Sequence, residues 1–289
     1  MGRLLEELWE SIKEGLIEAI TGRLAGLFDM INETVGDIAE NVGLTPSQWN
    51  SNIFAMIRNL SETAVIPIAG MILTFVLCYE LIQLIIEKNN MHEFDTFNIY
   101  KWIFKTFVAV FILTNTFTIV LAIFELAQQV VSSSTGVITG SLEVGSADAM
   151  VNLEATLREM GVWELIGLFL EIFIIDLCLA ALTIVIFVII FGRMIEIYLV
   201  VSIAPIPLAT MINREWGQIG NNYIKSLFAL AFQGFLIMVC VGIYAVLVQT
   251  IPAADSIHAA LWRVLGYTVL LCFALFKTGS LSKSLFTAH

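Results

Sequence analysis

The sequence predicts an all-α fold, a polytopic transmembrane helical bundle of about five spans preceded by an amphipathic helical region. Two observations carry this. The chain has 289 residues, of which 58% are hydrophobic and 13% charged, a balance that soluble domains of this size do not reach. Five apolar stretches, 64–86, 102–124, 165–191, 227–248 and 259–276, also match or approach the roughly 20 helical residues that cross a hydrocarbon core. The net charge of −11 argues against a surface built to coat nucleic acid, because phosphate binding asks for Lys and Arg.

Residues 1–63 differ from the rest. Leu5, Leu8, Trp9, Ile12, Leu16, Ile20, Leu24, Leu27 and Ile31 recur at helical spacing, with Glu6, Glu7, Glu10, Glu14 and Glu18 between them. An acidic polar face suits an anionic lipid surface poorly, so this helix is expected to pack on a partner protein or on another copy; resting on a neutral membrane interface is the alternative. No continuous apolar run resembling a signal peptide lies within residues 1–31, and the first span is expected to act as the targeting signal. Thr45-Pro46 reads as the N-cap and first position of a short helix reaching about Leu60.

The first span, 64–86, carries Pro67 and Gly70, which predict a kink near its start. Glu80, Gln83 and Glu87 share a face near its end. The second, 102–124, holds Lys105 near one end and Asn115 near the middle, after a short polar loop from Glu87 to Lys101. Residues 125–161, with Ser132, Ser133, Ser134, Gly136, Gly140 and Gly145, read as a long surface loop with a short helix around 153–160. The third span, 165–191, runs on past Arg193 until Pro205 and Pro207 break it, so 194–212 reads as an overhanging helix end plus a re-entrant or interfacial turn. Spans 227–248 and 259–276 complete the set.

Five spans place Lys88, Lys101, Lys105, Arg193, Arg214, Lys225, Lys277 and Lys283 on one side. By the positive-inside rule the N-terminus, with residues 1–63, is then outside the cytoplasmic membrane and the C-terminus inside. Arg58 counts against this assignment.

Ionisable residues inside spans are the candidate functional groups. Asp176 is the deepest, and Glu164 and Glu171 lie within about 20° of one helix face with Glu196 close to it. Two readings stand open. In one these carboxylates line a polar lumen; in the other Asp176 is a structural residue hydrogen-bonded to Asn115 or a hydroxyl, and Glu164 sits among headgroups. For Lys105 the alternatives are an ion pair with Glu80 or snorkelling to the interface. Ala231, Gly234, Met238, Gly242 and Ala245 form a packing stripe. Cys78, Cys178, Cys240 and Cys272 read as small buried hydrophobes, and the sequence holds no GxxxxGK[ST], HExxH, GxSxG or CxxC pattern, so neither an enzyme nor a cofactor is expected.

Several stretches, in this order and spacing, resemble the TrbL-type polytopic conjugation proteins of Gram-positive conjugative elements, counterparts of the multi-span inner-membrane channel subunit of type IV secretion systems. They are Leu44-Thr45-Pro46-Ser47-Gln48-Trp49-Asn50, Pro67-Ile68-Ala69-Gly70, Cys78-Tyr79-Glu80-Leu81-Ile82, Glu87-Lys88-Asn89-Asn90, Lys101-Trp102-Ile103-Phe104-Lys105, and Arg193-Met194-Ile195-Glu196 leading into Ala204-Pro205-Ile206-Pro207. The resemblance implies a homo-oligomeric channel subunit that passes single-stranded DNA with bound relaxase and is driven by separate cytoplasmic ATPases and accompanied by other secretion subunits. Arg193, Arg214 and Lys225 would form the cytoplasmic face for an ATPase or DNA. A secondary transporter or ion channel using Glu171 and Asp176 is the alternative, and a scaffold that only anchors other parts is a third.

Overall fold

A computed structural model describes residues 2–86, 96–139, 154–250 and 256–287. Among them there is no strand, and six helical stretches are long and apolar enough to cross a membrane: Ser51–Ile86, Phe97–Thr114, Thr116–Ser134, Val162–Ser202, Gly217–Gln249 and Ile257–Leu285. The helices are α1 (Gly2–Gly43), α2 (Pro46–Trp49), α3 (Ser51–Leu60), α4 (Ile66–Ile86), α5 (Thr96–Thr114), α6 (Thr116–Thr139), α7 (154–159), α8 (Val162–Ser202), α9 (Pro205–Thr210), α10 (Gly217–Gln249) and α11 (Ile257–Leu285).

The expected second span is divided. Thr114, Asn115 and Thr116 each turn a side chain back onto carbonyls of the preceding turn: Thr114 Oγ1 donates to Val110 O (2.9 Å), Asn115 Nδ2 to Phe111 O (2.9 Å) and Thr116 Oγ1 to Leu113 O (2.8 Å). Such bonds compete with the helix ladder and interrupt it at Asn115. The chain does not reverse there. One residue is shorter than the roughly two to five that an αα-hairpin needs, and the Asn115 N–H still reaches Phe111 O (3.1 Å) while its own carbonyl accepts from Ile119 N–H (3.0 Å). The two apolar stretches on either side therefore follow one another, which reconciles six stretches with about five spans.

Further differences are local. Residues 125–139, expected as loop, continue α6, because Phe117, Val120, Phe124, Ala127 and Val131 keep a buried helical spacing through the polar positions. The short helix expected around 153–160 is present as α7, whereas Gly140, Gly145 and the connection 87–95, with Glu87 and Lys88, lie outside the described residues. The expected helix 48–60 is two helices. Thr45 caps α2 with a reciprocal pair, accepting from Gln48 N–H and donating its own N–H to Gln48 Oε1 (3.1 Å), and Asn50 restarts the chain as the cap of α3 by accepting from Ile53 N–H (3.0 Å). Ahead of Pro67, residues Ser61–Val65 form a π-helical turn joining α3 to α4, as expected where a proline removes a donor.

The chain divides into two compact units. The first comprises Met1–Val42, Ser132–Ile190 and Leu236–Lys277. Here α1 and α8 advance side by side in the same chain direction. Trp9 lies beside Trp163 with the rings tilted (6.4 Å), Arg23 meets Asp176, and Met30, Ile31 and Thr34 share a small cavity with Leu179, Thr183 and Ile186. Both helices bury narrow seams at alternating spacings of three and four: Ile17, Ile20, Leu24, Leu27 and Ile31 on α1, and Leu165, Leu168, Ile172, Ile175 and Leu179 on α8. This corrects the expectation that α1 packs on a partner: its seam is covered by its own chain and extends through Val35 and Ile38 to Val42, while Leu8, Trp9 and Ile12 stay exposed. In the same unit α11 runs parallel to α8, with His258 beside Glu171 and Cys272 Sγ 3.8 Å from Leu182 O.

The second unit comprises Gly43–Val131, Phe191–Phe235 and Thr278–His289. Its core gathers Phe54, Phe117, Phe124, Met194, Tyr198 and Leu230. A smaller cluster joins Leu73 and Leu77 of α4 to Ala109 and Leu113 of α5 and Ala209 of α9. Pro205 and Pro207 are buried in α9, which follows the end of α8 at Ser202. Tight approach here demands glycine: a Cβ on Gly220 would lie 2.7 Å from Pro207 O.

Candidate functional site

In the first unit each predicted carboxylate has its own partner. Asp176 accepts from Arg23 Nη1 (2.9 Å), and the same guanidinium lies over the rings of Phe169 and Phe173 at 5.1 and 5.4 Å. This replaces the expected bond to Asn115 or a hydroxyl. Glu171 is paired with His258 of α11. Glu164 accepts from Gly161 N–H (2.9 Å) at the start of α8, a helix-capping contact. The three are therefore separate contacts along α8, not one row. Arg23 and His258 were missed from the sequence, because both stand alone in their segments and only the tertiary fold shows what they answer.

The outer face of α1 is the other polar feature of this unit. Glu14, Glu18, Asp29 and Glu33 are exposed along the length that runs beside α8, the most apolar of the six stretches. Near the start of the pair Arg158 bonds Glu154 (2.8 Å), which raises its pKa above the ordinary arginine value, and the Lys13 ammonium donates to Arg158 O (2.7 Å).

In the second unit, residues from α4, α5 and the turn before α10 build a basic basin. Glu80, Gln83 and Leu84 come from α4, Asn98, Lys101, Trp102 and Lys105 from α5, and Arg214 from the turn; the cavity between them is about 260 Å³. Lys105 Nζ donates to Glu80 Oε1 at 2.6 Å, the ion pair that one of the two readings expected. Lys101 rests its ammonium 4.5 Å from the Phe97 ring centre. Glu215 accepts from Tyr79 Oη (3.2 Å) and Gln83 Nε2 (3.1 Å), which ties the turn to α4. Trp216 stacks on both Phe75 and Tyr79 at 5.6 and 5.7 Å. The sequence singled out Glu80, Lys101 and Lys105 but not Asn98, Glu215 or Trp216, whose part depends on the turn folding back onto α4.

The predicted cytoplasmic trio is not one face. Arg214 is exposed in the basin, and Lys225 reaches Thr287 Oγ1 (3.4 Å) near the chain end. Arg193 is a correction: its side chain is buried, Nη2 donates to Leu230 O (3.4 Å), and Nε and Nη1 have no partner among the described residues. It cannot meet an ATPase or DNA from there. Its neighbour on the next turn, Glu196, pairs instead with Lys283 (2.9 Å). Among the described residues no three His, Cys, Asp or Glu side chains are grouped to hold a metal ion, and the cysteines are free thiols, Cys78 exposed and Cys272 buried.

A family model described as TrbL/VirB6 plasmid conjugal transfer like protein matches residues 31–205. No curated protein and no solved structure matches the chain.

Proposed function

Because the chain belongs to the TrbL/VirB6 plasmid conjugal transfer like family and is a multi-pass membrane subunit of that kind, we propose that copies of it assemble into the part of a conjugation channel that carries single-stranded DNA, with its bound relaxase, across the cytoplasmic membrane. Cytoplasmic ATPases supply the energy and other secretion subunits complete the passage.

The observation that supports a conduit is the position of α1. It runs in step with α8, yet its outer face carries Glu14, Glu18, Asp29 and Glu33. A charge facing lipid at mid-membrane costs at least about 2.5–3.5 kcal/mol on insertion scales, and several in a row would exceed what the seam of α1 returns. A face of this kind belongs against water, and in an assembly of copies it would form the wall of a wet passage. The transporter alternative rests on Glu171 and Asp176, and each already has a side-chain partner, His258 and Arg23.

Two measurements test this. Deleting the gene should abolish conjugative transfer without affecting growth, and normal transfer from the deletion strain would refute the reading. Single cysteines at Gly22, Asp29 and Glu33 should react with a membrane-impermeant thiol reagent, whereas cysteines at the exposed apolar positions Leu177 and Ile184 should not.

A further inference from the structure

The basin between α4, α5 and the turn before α10 is a site in search of an anion. Lys105 is balanced by Glu80, and Glu215 is held by Tyr79 and Gln83, but Lys101 has only the Phe97 ring and Arg214 has no partner among the described residues. Two cations without an ion-pair partner among the described residues therefore border one cavity of about 260 Å³. That is below the roughly 300 Å³ at which small-molecule pockets begin, so it suits a compact charged group better than a nucleotide.

Its surroundings point to the membrane interface. Trp102, Trp216 and Tyr79 gather beside it, the aromatic side chains that settle at headgroup level. The Trp102 indole donates to Leu77 O (3.3 Å), which fixes the ring at the rim. Large apolar side chains are exposed on the same two helices next to the basin, among them Ile82 (54%), Ile86 (67%) and Phe104 (68%). A molecule entering here meets a cationic floor with an apolar wall beside it.

We propose that this basin binds the phosphate of an anionic phospholipid headgroup, with Lys101 and Arg214 as the charge-bearing contacts, Asn98 and Gln83 as hydrogen-bond donors, and the acyl chains lying against the apolar flanks of α4 and α5. Basic pockets between membrane helices hold lipid headgroups by this combination of charge and apolar surface. The lipid braces the α4–α5 pair against the turn before α10. The site depends on the protein lying in a membrane and not on what it conducts.

The test uses the full chain purified in detergent, with bound lipid read by native mass spectrometry after addition of phosphatidylglycerol or phosphatidylcholine. Phosphatidylglycerol should be retained over phosphatidylcholine, and the Lys101→Gln/Arg214→Gln double variant should lose that preference by roughly tenfold. Arg214→Gln alone, a change at an exposed turn residue that disturbs no described contact, should lose part of it, which guards against a misfolded double variant. Lys101→Arg/Arg214→Lys should keep it. Lys225→Gln, a basic residue outside the basin, should change nothing; an equal loss there would reduce the effect to bulk charge and overturn the site. Equal retention of both lipids also overturns it. Displacement by inorganic phosphate at the lipid's own concentration would assign the basin to free phosphate, and binding of a single-stranded oligonucleotide in place of lipid would assign it to nucleic acid; either removes the lipid reading. Conjugation assays are not involved, so failure here leaves the channel reading untouched.

Discussion

Arg23 of α1 and Asp176 of α8 form a salt bridge at 2.9 Å inside the most apolar stretch of the chain. Neither group is fully buried, at 38% and 23% side-chain exposure, and Arg23 also covers Phe169 and Phe173. The pair sets the register of α1 against α8: the seams of both helices repeat every three or four residues, and sliding by one repeat would keep apolar contacts but separate the charges.

Asp176→Asn and Arg23→Gln should therefore each destabilise the protein, by about 1–3 kcal/mol, between the values for exposed and buried pairs. The measurement is the thermal midpoint of the detergent-solubilised protein. The exchanged pair Arg23→Asp/Asp176→Arg should recover much of the loss. If the exchange is as damaging as the two single changes together, the residues act separately and not as a pair.

Gly220 tests the packing of α9 on α10. Its substitution by Ala places a methyl 2.7 Å from Pro207 O and 2.8 Å from Met211 Cβ, too close without moving backbone. A loss of about 1–3 kcal/mol is expected, the usual cost of overpacking. Gly266→Ala in α11 is the contrasting change: nothing lies within 4 Å of the added carbon, and Ala is the better helix former, so stability should hold or rise by up to about 1 kcal/mol. Parallel melts of the two variants decide it.

How far the fold could be read from the residues depended on whether an effect was local. Apolar runs placed the helices, and Thr45-Pro46 announced its cap, because both signals lie within a few positions of what they govern. The break at Asn115 was also written locally, in three consecutive side chains able to bond backward, but it is masked by the hydropathy around it. The continuation of α6 past Glu125 was hidden for the opposite reason: polar residues on its outer face concealed Ala127 and Val131 on the inner one. Partnerships between distant segments had no local sign. Nothing near Asp176 points to Arg23, and nothing near Arg193 distinguishes a buried guanidinium from a cytoplasmic one. Glu80 and Lys105 were the exception, since a short connection between their helices limits where each can reach.

Replacing Asn115 by Leu, with Thr114→Ala and Thr116→Ala, removes the backward bonds that compete with the ladder between α5 and α6. The helix should then run unbroken from α5 into α6. Spin labels at Phe107 and Leu126, both exposed, should show a narrower distance distribution than in the unaltered protein. An unchanged distribution would mean the interruption is imposed by packing elsewhere.

Tyr198 provides the last test. It is 4% exposed, and its hydroxyl donates to Pro46 O at 2.7 Å, while Trp49 lies 5.9 Å away with its ring tilted toward it. The contact closes α2 onto α8 at the point where the Thr45 cap leaves the Pro46 carbonyl free to accept. Tyr198→Phe keeps the ring and removes only the donor, so the expected cost is about 1–2 kcal/mol, a buried hydrogen bond lost with its acceptor left in place. Trp49→Ala removes the ring beside it and should cost more, about 3–5 kcal/mol if the site cannot collapse. If α2 is held by the bond more than by the ring, the order reverses, and thermal midpoints of the two variants in the same detergent distinguish the cases.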